Sequence, residues 1–148
     1  MLKFEFEPHF IDIYNKFDET ITATVPAGVF VMKKDGDTVT VSDGTKVWGL
    51  LAQNVHVNPG PEYALVSNDN RAYAGDQVGI YVSPGMFWTD QFVGTPQPGD
   101  TLYVTSEGKL TATKAEDNPT ASAGVIAVGK AAKTHNGQLL FVYNPCVA

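Results

Sequence analysis

From Thr20 onward the sequence runs largely in period two. Ile21, Ala23 and Val25 alternate with three threonines, and Val39 and Val41 alternate with Thr38 and Thr40. Successive side chains of a strand point to opposite faces, so such alternation buries one face and leaves the other wet. The runs stop at turns of the Asp-Gly hairpin kind, Lys33-Lys34-Asp35-Gly36-Asp37 and Ser42-Asp43-Gly44-Thr45. Further runs rich in β-branched and aromatic residues cover 29–32, 47–52, 63–67, 77–82, 101–105, 109–113, 124–129 and 138–143. The 14 glycines and 9 prolines fall almost wholly between these runs. Strands at such spacing suit a sandwich or a barrel. The chain reads as all-β and mainly antiparallel.

The N-terminal residues 1–19 read differently. Phe10, Ile13, Tyr14 and Phe17 fit a helical stripe after Pro8, while Phe4, Phe6, Ile11 and Ile13 fit period two. This gives an arm over 1–19, holding a short helix or an extended segment, and one β-domain over 20–148. The β-domain carries an internal echo. Pro26-Ala27-Gly28 opens a strand, a turn at Gly36, a second strand and Gly49-Leu50-Leu51-Ala52. Pro98-Gly99-Asp100 opens a strand, a turn at Gly108, a second strand and Gly124-Val125-Ile126-Ala127. Glycine spacings of 8 and 13 in the first copy become 9 and 16 in the second, which suggests two pseudo-repeated halves.

Charge and motif content narrow the chemistry. Ten bases against 16 acids give −6, and nine of the bases are lysines, spread along the chain beside the single Arg71. Phosphate backbones require clustered Lys and Arg, so no nucleic-acid partner is expected. No apolar run is long enough to span a membrane as a helix, and acids occupy the place of a signal peptide's apolar stretch. Cys146, the only cysteine, cannot form an intrachain disulfide. His9, His56 and His135 are dispersed, and no nucleophile-elbow motif accompanies them. Asp35, Asp37 and Asp43 read as turn residues, because the calcium-loop glycine is misplaced and Lys46 stands where the bidentate Glu belongs. The acids in 116–119 read as a solvated loop. Prolines in 93–100 remove the N–H donors a phosphate nest needs. No catalytic residue, metal site or cofactor is expected.

Aromatic placement carries the most information about partners. Phe4, Phe6, Phe10, Tyr14 and Phe17 crowd the arm, and Met86, Phe87, Trp88 and Phe92 crowd a loop bounded by Gly and Pro. Large apolar groups outside regular strands either fold onto the core or meet a partner. Phe17 and Phe92 are assigned to the core. Phe4, Phe6, Phe10, Ile11, Tyr14, Phe87 and Trp88 form the candidate partner interface. Trp48, inside an apolar run, is expected to be buried.

The stretch Ala74-Gly75-Asp76-Gln77-Val78-Gly79-Ile80-Tyr81-Val82, then Pro98-Gly99-Asp100-Thr101-Leu102-Tyr103-Val104, Gly108-Lys109-Leu110-Thr111 and Gly124-Val125-Ile126-Ala127, resembles small β-domains encoded beside phage capsid genes. Asp43-Gly44-Thr45 followed by Gly49-Leu50-Leu51-Ala52 is similar to a stretch of lambda-type head decoration proteins, although the Phe-rich arm departs from their polar one. The resemblance implies a small β-barrel or β-tulip that cements the outside of a capsid, commonly as a trimer. Its partners would be the major capsid protein and copies of itself. Its place would be the virion exterior, after synthesis in the host cytoplasm. The alternative is a tail, fibre or carbohydrate-binding β-module.

Overall fold

The computed structural model describes residues 1–6 (4–6 by backbone alone), 11–57 and 72–145. Phe10, the strand expected over 63–67 and Cys146 lie outside the described residues. Among these residues the elements are thirteen strands and no α-helix: β1 (Leu2–Phe6), β2 (Ile11–Phe17), β3 (Phe30–Lys33), β4 (Thr38–Val41), β5 (Gly49–Leu51), β6 (Val55–His56), β7 (Ala72–Tyr73), β8 (Gln77–Tyr81), β9 (Gly85–Thr89), β10 (Thr101–Val104), β11 (Leu110–Thr111), β12 (Ala127–His135) and β13 (Gln138–Tyr143). Five strands close into a barrel in the order β2-β4-β3-β5-β8. Six form an open sheet in the order β1-β9-β13-β12-β10-β11. The short β6 and β7 pair in parallel. The all-β barrel expected from the alternation is therefore present.

Alternation along β3, β5 and β8 explains how barrel and sheet join. Val31, Leu51, Val78 and Ile80 point into the barrel, where they meet Phe17 and Val39. The intervening Phe30 and Leu50 point the other way and join Phe87, Leu102, Leu139, Phe141 and Tyr143 on the inner face of the sheet. The wall made by β3 and β5 is thus buried on both sides, which is why 29–31 and 49–51 are apolar without a polar alternate. Edge and tilted ring contacts knit the second core, with Phe30–Tyr143 centroids 5.6 Å apart and Phe87–Phe141 5.9 Å apart. At Gly129 a Cβ would overlap the Val142 carbonyl, so β12 and β13 can approach this closely only with glycine there.

The two stretches that echo each other in sequence share a pairing order. In the first, β3 lies between β4 and β5, and β5 continues to β8. In the second, β10 lies between β11 and β12, and β12 continues to β13.

Two segments differ from the sequence expectation, and a third, 1–19, takes the extended of its two alternatives. Residues 1–19 supply β1, antiparallel to β9, and β2, which closes the barrel between β4 and β8. Residues 85–89 form β9 inside the open sheet rather than a loop. Both faces of β9 carry large groups, Phe87 inward and Met86 and Trp88 outward, so the polar alternate that marks a strand is missing. Residues 20–25 form no strand, although Val25 makes an isolated bridge to Val55. β2 already occupies the ladder positions on β4 and β8, and the chain turns away at Asp18.

Asp18 secures that exit. Its Oδ1 accepts from the Thr20 N–H (2.9 Å), the Thr20 hydroxyl (2.7 Å) and Lys34 Nζ (3.2 Å), while its own N–H donates to the Val39 carbonyl at 2.9 Å. Burial alone would raise its pKa, but these donors outweigh it and bring the value to about 2, against an ordinary 3.8. Because the folded pKa lies below the unfolded one, the charged carboxylate favours folding. That contribution is complete above about pH 4 and is lost as the pH falls through 2. Asp18→Asn should therefore lose about 1–2 kcal/mol at neutral pH and flatten the stability–pH curve below about pH 4, as read by urea melts.

Candidate interaction surface

A closed barrel fixes which side chains have no covering layer. In the ring order, β2 is the one strand adjacent to neither β3 nor β5, so it lies on the side away from the open sheet. Its inward residues follow from register. Asp12 stands opposite Ile80 and Asn15 opposite Val78, and both of those partners point into the barrel. Three residue steps on β2 therefore match two on β8, a β-bulge that places Ile13 and Tyr14 outward together. Ile11 is 48% exposed, Ile13 53% and Tyr14 80%.

Ile11 and Ile13 line a groove of about 470 Å³ with Ala52, Gln53, Gln77 and Tyr81. Gly79 forms its floor, and a Cβ there would meet Ile11 Cδ1 at 3.0 Å. Isolated exposed apolar residues are ordinary, but three on one bulged strand, two of them lining a groove, make a patch.

The patch is anchored at one end of the barrel. β2, β4 and β5 begin at that end, while β3 and β8 finish there. Asp12 Oδ2 accepts from Trp48 Nε1 at 2.9 Å and from Asn15 Nδ2 at 2.6 Å, and Oδ1 accepts the Tyr14 N–H at 3.0 Å. Lys33 Nζ donates to Asn15 Oδ1 and lies 4.7 Å from the centroid of the Trp48 ring. Partial burial pushes the Asp12 carboxyl up. The Tyr14, Trp48 and Asn15 donors and the nearby Lys33 charge outweigh it and hold the group below its ordinary range. The network fixes the bulge and the indole, so little ordering remains to be done when a partner arrives.

This arrangement presents surface rather than chemistry. Among the described residues no group of three His, Cys, Asp or Glu side chains is placed to hold a metal ion. The Asp-Gly segments are turns, with the Asp37 N–H donating to Asp35 Oδ1 and the Thr45 N–H to Asp43 Oδ1. A family model described as structural cement protein (E217 gp24/Pam3 gp6) matches residues 9–142. The chain belongs to that family. No curated protein and no solved structure matches the chain. Family membership gives this cement protein a structural role, decorating and stabilising a phage capsid, as the sequence resemblance implied.

The structure separates the residues that the sequence named as partner contacts. Ile11 and Tyr14 lie together on the β2 surface of this cement protein, and Ile13, the residue missed between them, joins them. Period two alone would have included it, but the bulge could not be read from sequence. Phe87 is corrected. It is fully buried in the second core, tilted against Tyr81 and Phe141, because its strand turns that face to the barrel. Trp88, on the other face of β9, is half-buried on the far side of the sheet. By backbone, Phe4 and Phe6 pair with Phe87 and Met86.

Trp48 is also corrected, from core to surface. It is 42% exposed, since β5 begins one residue later and the indole covers the barrel end. Trp48→Ala should then lose about 1–2 kcal/mol, from one charge-assisted hydrogen bond and an exposed cation–π contact. Phe141→Ala, which empties a core site, should lose about 3–5 kcal/mol. Denaturant melts of the two variants check the contrast.

Proposed function

We propose that the protein cements the outside of the shell by seating the β2 surface on the major capsid protein. The carrying observation is the trio Ile11, Ile13 and Tyr14, held outward by the bulge on a side of the barrel that no other described strand covers. Interfaces concentrate their energy in a few buried aromatic and aliphatic anchors surrounded by contacts that exclude water. Fully covering an isoleucine or a tyrosine of this exposure is worth about 1.5–3 kcal/mol each, enough to hold a preformed surface to a shell. The role is non-enzymatic: the patch contributes adhesion and area, and the rigid barrel behind it transmits load. In this reading the chain is made in the host cytoplasm and joins the shell from outside as a homo-oligomer, with a trimer the expected state.

Ile13→Asp combined with Tyr14→Ala tests the surface. Both side chains point into solvent, so the melting temperature should stay put. Affinity for shells stripped of cement should fall at least tenfold, about 1.4 kcal/mol, in a sedimentation binding assay. Unchanged affinity from a folded double variant would reject the β2 surface as the contact.

A further inference from the structure

The pole opposite β2 is the outward face of the open sheet, and its cross-strand register assembles a distinct surface. In one row Lys3 stands opposite Trp88, Trp88 opposite Leu140, and Leu140 opposite Lys133. In the next, Met86 stands opposite Val142, Val142 opposite Lys130, and Lys130 opposite Thr101. Trp88 and Met86, both half-buried, and the exposed Val142 are thus bracketed by three exposed lysines, while Leu140, between Trp88 and Lys133, is itself buried. Lys133 Nζ lies 5.6 Å from the Trp88 ring centroid, and Val142 is 43% exposed. A cleft of about 230 Å³, lined by Thr101, Gly129, Lys130, Val142 and Asn144, opens beside Val142 and has room for one inserted side chain.

These three exposed lysines stand on a chain of net charge −6. A second copy presenting the same face would set lysine against lysine, so the face is not its own partner. Nucleic acid is disfavoured because the middle of the surface is apolar and no described arginine contributes. What fits is a protein surface with an apolar centre and acidic side chains around it.

We infer that the outward sheet face docks an acid-rimmed surface of a second shell subunit, so that one cement body grips the shell at both poles. This rests on the cement role argued above, and its test separates the two. The variant Lys130→Glu/Lys133→Glu reverses the charge, and Trp88→Ala removes the apolar centre. Each is compared with wild type for binding to cement-stripped shells at low salt (about 50 mM) and high salt (about 500 mM), where the Debye length drops well below 10 Å. Thermal melts of the free variants confirm folding.

The expected result is at least a tenfold loss for the charge-reversed variant at low salt, with the wild-type salt dependence abolished, and a loss at both salts for Trp88→Ala. A folded charge-reversed variant that binds shells like wild type overturns the inference and leaves the β2 reading intact. If Ile13→Asp/Tyr14→Ala binds normally while the lysine variant fails, the β2 reading falls and the sheet-face contact stands. If charge reversal changes only the sedimentation of the free protein, the face meets another copy and the inference is overturned. Binding of a fluorescent DNA duplex by wild type, lost on charge reversal, would assign the lysines to phosphate and overturn it equally.

Discussion

Closure of the barrel by β2 is the constraint on which the rest of the molecule depends. β2 is hydrogen-bonded in parallel to β4 and antiparallel to β8, so it removes the two edges those strands would otherwise expose. It also brings Phe17 into the centre of the barrel, where that ring is wholly buried among Val31, Val39 and Val78. Outward residues of β3 and β5 are covered by the open sheet, but no described strand covers those of β2. The bulge that seats Asp12 and Asn15 inward forces Ile13 and Tyr14 into solvent. The exposed patch is therefore a consequence of the same strand that completes the fold.

A second consequence is the shared wall. β3 and β5 carry apolar groups on both faces, so the barrel interior and the core beneath the open sheet lie back to back with one layer of backbone between them. Interiors packed to this degree are nearly incompressible and pass strain on rather than absorb it. The Phe30 N–H, bonded to the Gly108 carbonyl at 2.8 Å, ties the barrel wall to the turn between β10 and β11. For a protein whose role is mechanical, the relevant property is that barrel and sheet share one buried wall.

The fold was legible where burial is one-sided. β4 and β10 sit where alternation places them, because a wet face leaves polar residues to count against apolar ones, while β8 and β13 were marked by β-branched and aromatic runs between turn residues. Legibility failed at β9, and where a side chain has two uses. β9 lacks a polar alternate. The Phe and Ile positions of β2 satisfy both periods, and only the ladders of β4 and β8 choose between them. Trp48 looks like core by its neighbours, yet its ring serves as a lid because β5 starts one residue beyond it. The candidate surface was half legible: Ile11 and Tyr14 were named, Ile13 was missed although period two includes it, the bulge that turns Ile13 and Tyr14 out together was not readable, and Phe87 was misplaced for the same reason as β9. The lysine-bracketed rows were wholly illegible, since Lys3, Trp88, Leu140 and Lys133 come from four strands and meet only through register.

Opposite poles matter for how tightly each contact must bind. Where a rigid body touches a shell at two places, the second contact forms at an effective concentration set by geometry rather than by the free protein, commonly in the millimolar range. Two individually modest interfaces then give a large combined affinity, provided that the body keeps both faces in fixed relation. The shared β3–β5 wall meets that condition, which a hinged pair of domains would not. An acidic body with one basic face adds a kinetic effect. Its net charge opposes nonspecific clustering in solution, while on the docking inferred above the lysine face would be drawn to an acidic surface that also accommodates Trp88 and Val142. On this argument the stiffness of the second core, more than the area of either face, decides how well the protein resists the parting of two shell subunits.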